Sequence, residues 1–157
     1  MRSAAVLGCL GLALVACGKD PVSIPTLRLS AADQAVCQRL TNALPEKVAD
    51  QAQRKTQPAA ALGGAWGDPA IVAQCGVPMP SDFTRTAACQ TADGVGWYIP
   101  EAQFADDSSD LVIATAGYRP IVQVAIPATY RPNGLAAVMV ELAPVVKEYT
   151  KLVTPCR

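Results

Sequence analysis

The apolar positions of this chain change period along its length, and each period predicts a different element. Val36, Cys37, Leu40 and Leu44 recur at helical spacing. Ser30 precedes them, and Asp33 follows it at the spacing of a capping box, with Asp in place of the usual Glu. A helix is predicted here, ended or kinked at Pro45, where Pro45-Glu46-Lys47 can restart it and Val48 continues the stripe. A second helical stripe runs through Leu135, Val138, Met139, Leu142, Val146 and Tyr149. Asn133 can cap that helix, and Pro144 is expected to bend it.

Between the stripes the pattern shortens to that of strands. Ile71 to Cys75 is a β-branched run bounded by Pro69 and Gly76. Thr86 to Thr91 and Val95 to Ile99 flank Ala92-Asp93-Gly94, and Asp-Gly is a hairpin signal. Leu111 to Thr115 and Ile121 to Ile126 give two more strands around Gly117-Tyr118-Arg119-Pro120. In the second, Ile121, Gln123 and Ala125 alternate with Val122, Val124 and Ile126. Arg54 to Pro58 reads as polar and extended, and Ala59 to Gly64 as small and flexible. The sum is an α+β fold, an antiparallel sheet of about four to six strands with an N-terminal and a C-terminal helix packed on one face.

The start of the chain carries an address. After Arg2, an apolar run from Ala4 to Val15 is broken only by Gly8 and Gly11. It is short of the roughly 20 residues that span a bilayer and fits the apolar region of a signal peptide. It ends in Leu14-Val15-Ala16-Cys17, which resembles the bacterial lipoprotein signal. That resemblance implies cleavage just before Cys17 and a diacylglycerol on its sulfur; an ordinary secretory signal would leave Cys17 incidental. Val6-Leu7-Gly8-Cys9 looks similar but leaves too short an apolar region. The expected organisation is a signal peptide over 1–16, a lipidated Cys17 with a semi-extended tether over 17–29, and one globular domain over 30–157. The membrane is then the first partner, reached through Cys17 at the outer face of the cytoplasmic membrane.

Composition narrows the chemistry. Thirteen basic residues balance thirteen acidic ones, so no nucleic-acid partner is expected. The chain contains no histidine. Serine–histidine and cysteine–histidine nucleophile pairs and His-ligated metals are therefore excluded, and any chemistry rests on carboxylates, Arg, Lys, Tyr or a free thiol. No phosphate loop, dinucleotide fingerprint or zinc-protease motif is present, so no cofactor or metal is expected. Of six cysteines, Cys9 falls in the signal peptide and Cys17 takes the lipid. Cys37, Cys75, Cys89 and Cys156 remain for two disulfides, with three pairings open.

Several residues are candidates for binding. Trp66-Gly67-Asp68-Pro69 can be an aromatic platform beside a carboxylate, suited to a sugar or peptide, or a tight turn backed by core; turn chemistry favours the latter. Asp93 and Trp97 invite the same choice, and Asp93-Gly94 again favours a turn. Arg119 and Arg131 sit in repeated Tyr-Arg-Pro triplets, able to meet an anion or to stack on the preceding Tyr. Glu101, Asp106, Asp107 and Asp110 lack the spacing of a calcium loop and read as a solvated turn. The binding candidates are thus Trp66, Asp68, Asp93, Trp97 and Arg119, and Asp68 with Asp93 is the one carboxylate pair open to acid–base work.

Cys37 with Leu40 and "ALP", then "AWGDPAIV", "CGV", "DGVGW", "GYRP" and the Leu142-Ala143-Pro144 helix follow one another in a specific order. In that order they resemble the actinobacterial secreted family called domain of unknown function 3515, and "DGVGWYIP" and the terminal "PCR" resemble its mycobacterial members. The resemblance implies secretion and a single domain, supplies no catalytic residue, and implies bridges Cys37–Cys75 and Cys89–Cys156. The function expected is a lipid-anchored envelope protein that binds or scaffolds, with an envelope protein or glycan as partner. The alternatives are a carboxylate hydrolase of cell-wall glycan and a carrier of an apolar envelope molecule. Peptide mapping without reduction should return the Cys37–Cys75 and Cys89–Cys156 peptides; a Cys75–Cys89 peptide would refute the pairing.

Overall fold

The computed structural model describes residues 19–84, 86–131 and 133–155; the segment read as a signal peptide, Cys17 and Cys156 lie outside them. The chain opens with β1 (Val22–Ser23), then α1 (Ala31–Asn42), β2 (Lys47–Val48), β3 (Gln51–Arg54) and β4 (Thr56–Gln57). Next come β5 (Gly63–Trp66), β6 (Ile71–Cys75), β7 (Cys89–Ala92), β8 (Val95–Tyr98) and the one-turn α2 (Glu101–Phe104). β9 (Leu111–Thr115), β10 (Tyr118–Arg119), β11 (Val122–Ile126), a 3-10 turn at Ala128–Tyr130, α3 (Asn133–Tyr149) and β12 (Lys151–Leu152) complete it.

The fold is α+β, with an antiparallel main sheet of eight strands in the order β2-β3-β5-β6-β11-β9-β8-β7. The expected four to six strands undercounted it, because β2, β3 and β5 lack the alternation that marks a strand in sequence. β2 replaces the predicted helix restart after Pro45. β3 is Gln-Ala-Gln-Arg, a polar strand near the edge. β5 is Gly-Gly-Ala-Trp and is buried along its length. Its small residues are required by close packing, since a Cβ on Gly63 would run into the Ala73 carbonyl oxygen.

Helices α1 and α3 pack on the sheet and on each other. The Ser30 hydroxyl accepts from the Asp33 N–H, the cap read from spacing, and donates to the Asp33 carboxylate, which takes this hydroxyl in place of the Ser30 N–H of a full capping box. Beneath the helices Trp66, Trp97, Ile71, Leu111, Ile113 and Val124 are all fully buried. Complete burial of each such side chain contributes about 1.5–3 kcal/mol. α3 continues through Pro144, which lies on its exposed side. A disulfide joins Cys37 of α1 to Cys75 of β6, two half-cystines 38 residues apart in sequence. Cys89 is also disulfide-bonded.

The segment read as a tether is extended, but from Val22 onward it belongs to the fold. β1 lies parallel to β4, with Val22 N–H donating to Lys55 O and Ile24 N–H to Gln57 O, both at 2.9 Å. Ile24 is fully buried. Leu27 packs with Val77, Ala114 and Ile121 on the sheet face opposite the helices. The Gln74 amide donates to Pro25 O at 2.7 Å. Farther along that face the Phe83 ring meets Tyr98 edge-on, with centroids 5.2 Å apart.

Replacing Cys37 and Cys75 together by Ala should lower unfolding free energy in urea by about 3–4 kcal/mol, the range for a loop of this length. A loss below about 1 kcal/mol would show that the bridge constrains little.

Candidate functional site

The five candidates from the sequence do not form one site. Trp66 and Trp97 are both fully buried. The Trp66 indole donates to Pro45 O at 2.8 Å and so pins the link between α1 and β2. The Trp97 indole nitrogen is buried without a partner among the described residues. Asp68 is exposed in the β5–β6 turn, within 3.1 Å of Lys19 Nζ and 3.6 Å of Arg54 Nη1. Its N–H donates to the Tyr130 hydroxyl, which in turn donates to Pro69 O. Asp93 takes a positive φ of 45° in the β7–β8 hairpin and pairs with Lys147 at 2.8 Å. Arg119 is exposed and donates to the carbonyl of its neighbour Tyr118.

Topology separates the two carboxylates. The Asp68 turn caps the end of β6 at Ile71, which is also the Leu111 end of β9. The Asp93 turn precedes Val95 at the far end, because Trp97 is paired with Thr115 and Tyr98 with Ala114. β6 and β8 are three strand spacings apart in the sheet, about 14 Å at about 4.8 Å each. Carboxylates that cleave a glycoside together stand about 5–9.5 Å apart. Asp68 and Asp93 therefore do not work as a pair.

Arg131 has a role that neither sequence reading gave it. It neither stacks in solvent nor waits for an anion. Its side chain is 1% exposed and stands 3.1 Å from the Asp107 carboxylate. Its guanidinium donates to the carbonyls of Gln103, Asp106 and Ser109. The acidic loop is thus wound around a buried cation. Asp106 serves the loop itself, accepting from the Ser108 hydroxyl and N–H, and Asp110 ties the loop to the 3-10 turn by accepting from the Ala128 N–H. Among the described residues no cluster suited to a metal ion forms. The Ser108 hydroxyl first, then the Ser108 N–H, hold the Asp106 carboxyl below its ordinary value.

Among the described residues, a concave surface feature arises where β3 ends. β3 pairs with β5 at Gln53↔Trp66 and Arg54↔Ala65, and no further. From Lys55 the chain turns to β1, and β4 pairs with β1 as Thr56↔Val22 and Gln57↔Ser23. β5 continues without that neighbour. On its other side the bonded rungs with β6 include Cys75 N–H to Leu62 O. Strand alternation then points the Gly63 N–H and C=O away from β6, into the gap that β4 leaves. That gap is a recess of about 350 Å³ lined by Thr41, Gln53, Arg54, Lys55, Thr56, Gly63 and Gly64. A second recess of about 400 Å³ shares Arg54 and Lys55 and adds Lys19, Asp20 and Pro21.

The two cations at this junction differ. The Arg54 fork is occupied by Gly67 O at 3.1 Å, Asp20 O at 2.7 Å and the Asp68 carboxylate. Lys55 is exposed, and among the described residues its ammonium has no ion-pair partner. Sequence reading passed over this place because Gln53, Lys55, Thr56 and Gly63 form no motif. Their proximity follows from a change of strand partner, which leaves no local signature beyond the Gly-Gly pair.

Fold and site together define an α+β domain built on one eight-stranded main sheet, with an open polar recess. Over residues 2–152 the chain matches the family described as a protein of unknown function (DUF3515), and it belongs to that family. No curated protein and no solved structure matches it.

Because the folded-state pKa of Asp106 lies below its ordinary value of 3.8, this carboxylate contributes stability above that pH. The contribution is lost as pH falls through the lower folded value. Ser108→Ala removes the first-ranked donor, so an NMR titration should find the Asp106 pKa higher in the variant, nearer 3.8. An unchanged pKa would refute the assignment.

Proposed function

We propose that the protein is a lipid-anchored binding module of the cell envelope, held to the outer face of the cytoplasmic membrane by a diacylglycerol on Cys17. The Leu-Val-Ala-Cys ending of an apolar N-terminal run supports the anchor. The observation that carries the binding part is the position of the second recess, which adjoins the first at Arg54 and Lys55: Lys19, Asp20 and Pro21, just after Cys17, form one of its walls. With β1 already part of the fold, only Gly18 to Pro21 link Cys17 to it. A chain of that length reaches at most about 17 Å at about 3.4 Å per residue. A lipid on Cys17 would thus hold the recess close to the bilayer, where envelope molecules could enter it from the side.

The alternatives draw less support. A glycan hydrolase built on Asp68 and Asp93 needs them near each other. A carrier of an apolar molecule needs space between sheet and helices, and that layer is occupied by Trp66, Trp97, Ile71, Leu111 and their neighbours. Both recesses lie at the strand edge instead, with polar and charged side chains on their walls.

The anchor is tested by fractionation and intact mass. The wild-type protein should sediment with membranes and carry the mass of its acyl chains, and Cys17→Ala should abolish both. A wild-type protein that stays soluble, or that lacks the acyl mass, would overturn the reading.

A further inference from the structure

We propose that the recess between β3 and β5 binds the free carboxyl end of an extended peptide, with the main chain of Gly63 and the ammonium of Lys55 as its two contacts. This deepens the binding-module reading and rests on it, but is independent of the anchor.

The first argument is the missing rung. An antiparallel sheet bonds each interior strand on both sides, and buried main-chain groups rarely go without a partner. β5 is an interior strand bonded to β6 along its whole length, and to β3 only from Ala65 onward. Gly63 is buried, lines the recess and has no partner in the β3 register. A donor and an acceptor of one residue thus face a gap where a neighbouring strand belongs. Such an edge is met by the backbone of an extended peptide, the one common ligand that offers an acceptor and a donor at strand spacing. Both glycines line the recess, although a Cβ on either would point elsewhere, at Ala73 O from Gly63 and at Leu44 and Trp66 from Gly64.

The second argument is charge. At the rim of the same recess, Arg54 is held by two carbonyls and a carboxylate, whereas Lys55 lacks an ion-pair partner among the described residues. Thr56 and Gln53, which carry neutral donors, line the same recess. One free ammonium with neutral donors suits one carboxylate. A polyanion is disfavoured, because Asp20 lines the adjoining recess and Asp68 lies against Arg54. A carboxylate next to a peptide unit is what the end of a peptide chain supplies. The recess volumes, about 350 and 400 Å³, fall within the range of small-ligand sites.

The test is an NMR titration of the full chain in detergent, with trialanine as probe and trialanine amide and acetate as comparisons. Trialanine should shift the amides of Gly63, Lys55 and Thr56 saturably. Trialanine amide, lacking the charge, and acetate, lacking the peptide unit, should each bind about tenfold more weakly. Lys55→Gln should weaken trialanine by about tenfold, and Lys151→Gln, in the exposed β12, should leave it unchanged. No saturable shift at Gly63, equal affinity for acetate, or equal loss in both variants would overturn the proposal. A silent titration leaves the anchor standing, and a missing acyl group leaves the titration unaffected.

Discussion

One edge of a strand can bond one neighbour at a time, and the rest of this structure follows from how β3 and β4 obey that rule. Up to Arg54 the chain bonds to β5; from Lys55 it bonds to β1. The change fixes the N-terminal segment in the fold, with Ile24 buried behind it. It also strips β5 of a neighbour at Gly63. A docked N-terminal segment and an open strand edge are two results of one switch. The recess therefore lies beside the point where the chain enters the domain.

The body that supports this switch is held by apolar burial and a few well-placed polar groups. Trp66 and Trp97 fill the space under the helices, and the Cys37–Cys75 bridge ties α1 to the middle of the sheet. The Trp66 indole is satisfied by Pro45 O, whereas the Trp97 indole nitrogen is not satisfied by any described residue. Arg131 reverses the usual expectation for a charged side chain. It is buried because three loop carbonyls and Asp107 surround it, and the 103–109 segment takes its shape from that cation. The short strands β2 and β7 close the sheet, and Lys47 on β2 places a charge on one edge.

Elements with strong periodicity were legible in the sequence. Both long helices, β6, β9, β11 and the Asp93-Gly94 hairpin lie where apolar spacing and turn chemistry put them, because each builds the core facing the helices. What was not legible has a common cause. β2, β3 and β5 are polar or glycine-rich, so they are strands only by virtue of their neighbours. Residues 22–29 carry too little pattern to announce that Ile24 is buried and that Leu27 packs on the far face. Trp66, Asp68, Asp93, Trp97 and Arg119 drew notice as chemically rich residues in rich motifs, and the turn and core readings account for Trp66, Trp97 and Asp93. Arg131 was read as a surface cation, since burial of a guanidinium by main-chain carbonyls leaves no mark in sequence. The recess is the extreme case, assembled from ordinary residues by a topological event.

The measurement that bears most directly on this account is amide hydrogen exchange on the native protein, read at Val22, Ile24 and Gly63. If the chain changes partner at Lys55, the Val22 and Ile24 amides, bonded to Lys55 O and Gln57 O, exchange slowly, and the Gly63 amide exchanges much faster than its neighbour Gly64. Fast exchange at Val22 and Ile24, together with protection of Gly63 equal to that of Gly64, would mean that β4 stays with β5, that the N-terminal segment is loose, and that no open rung exists.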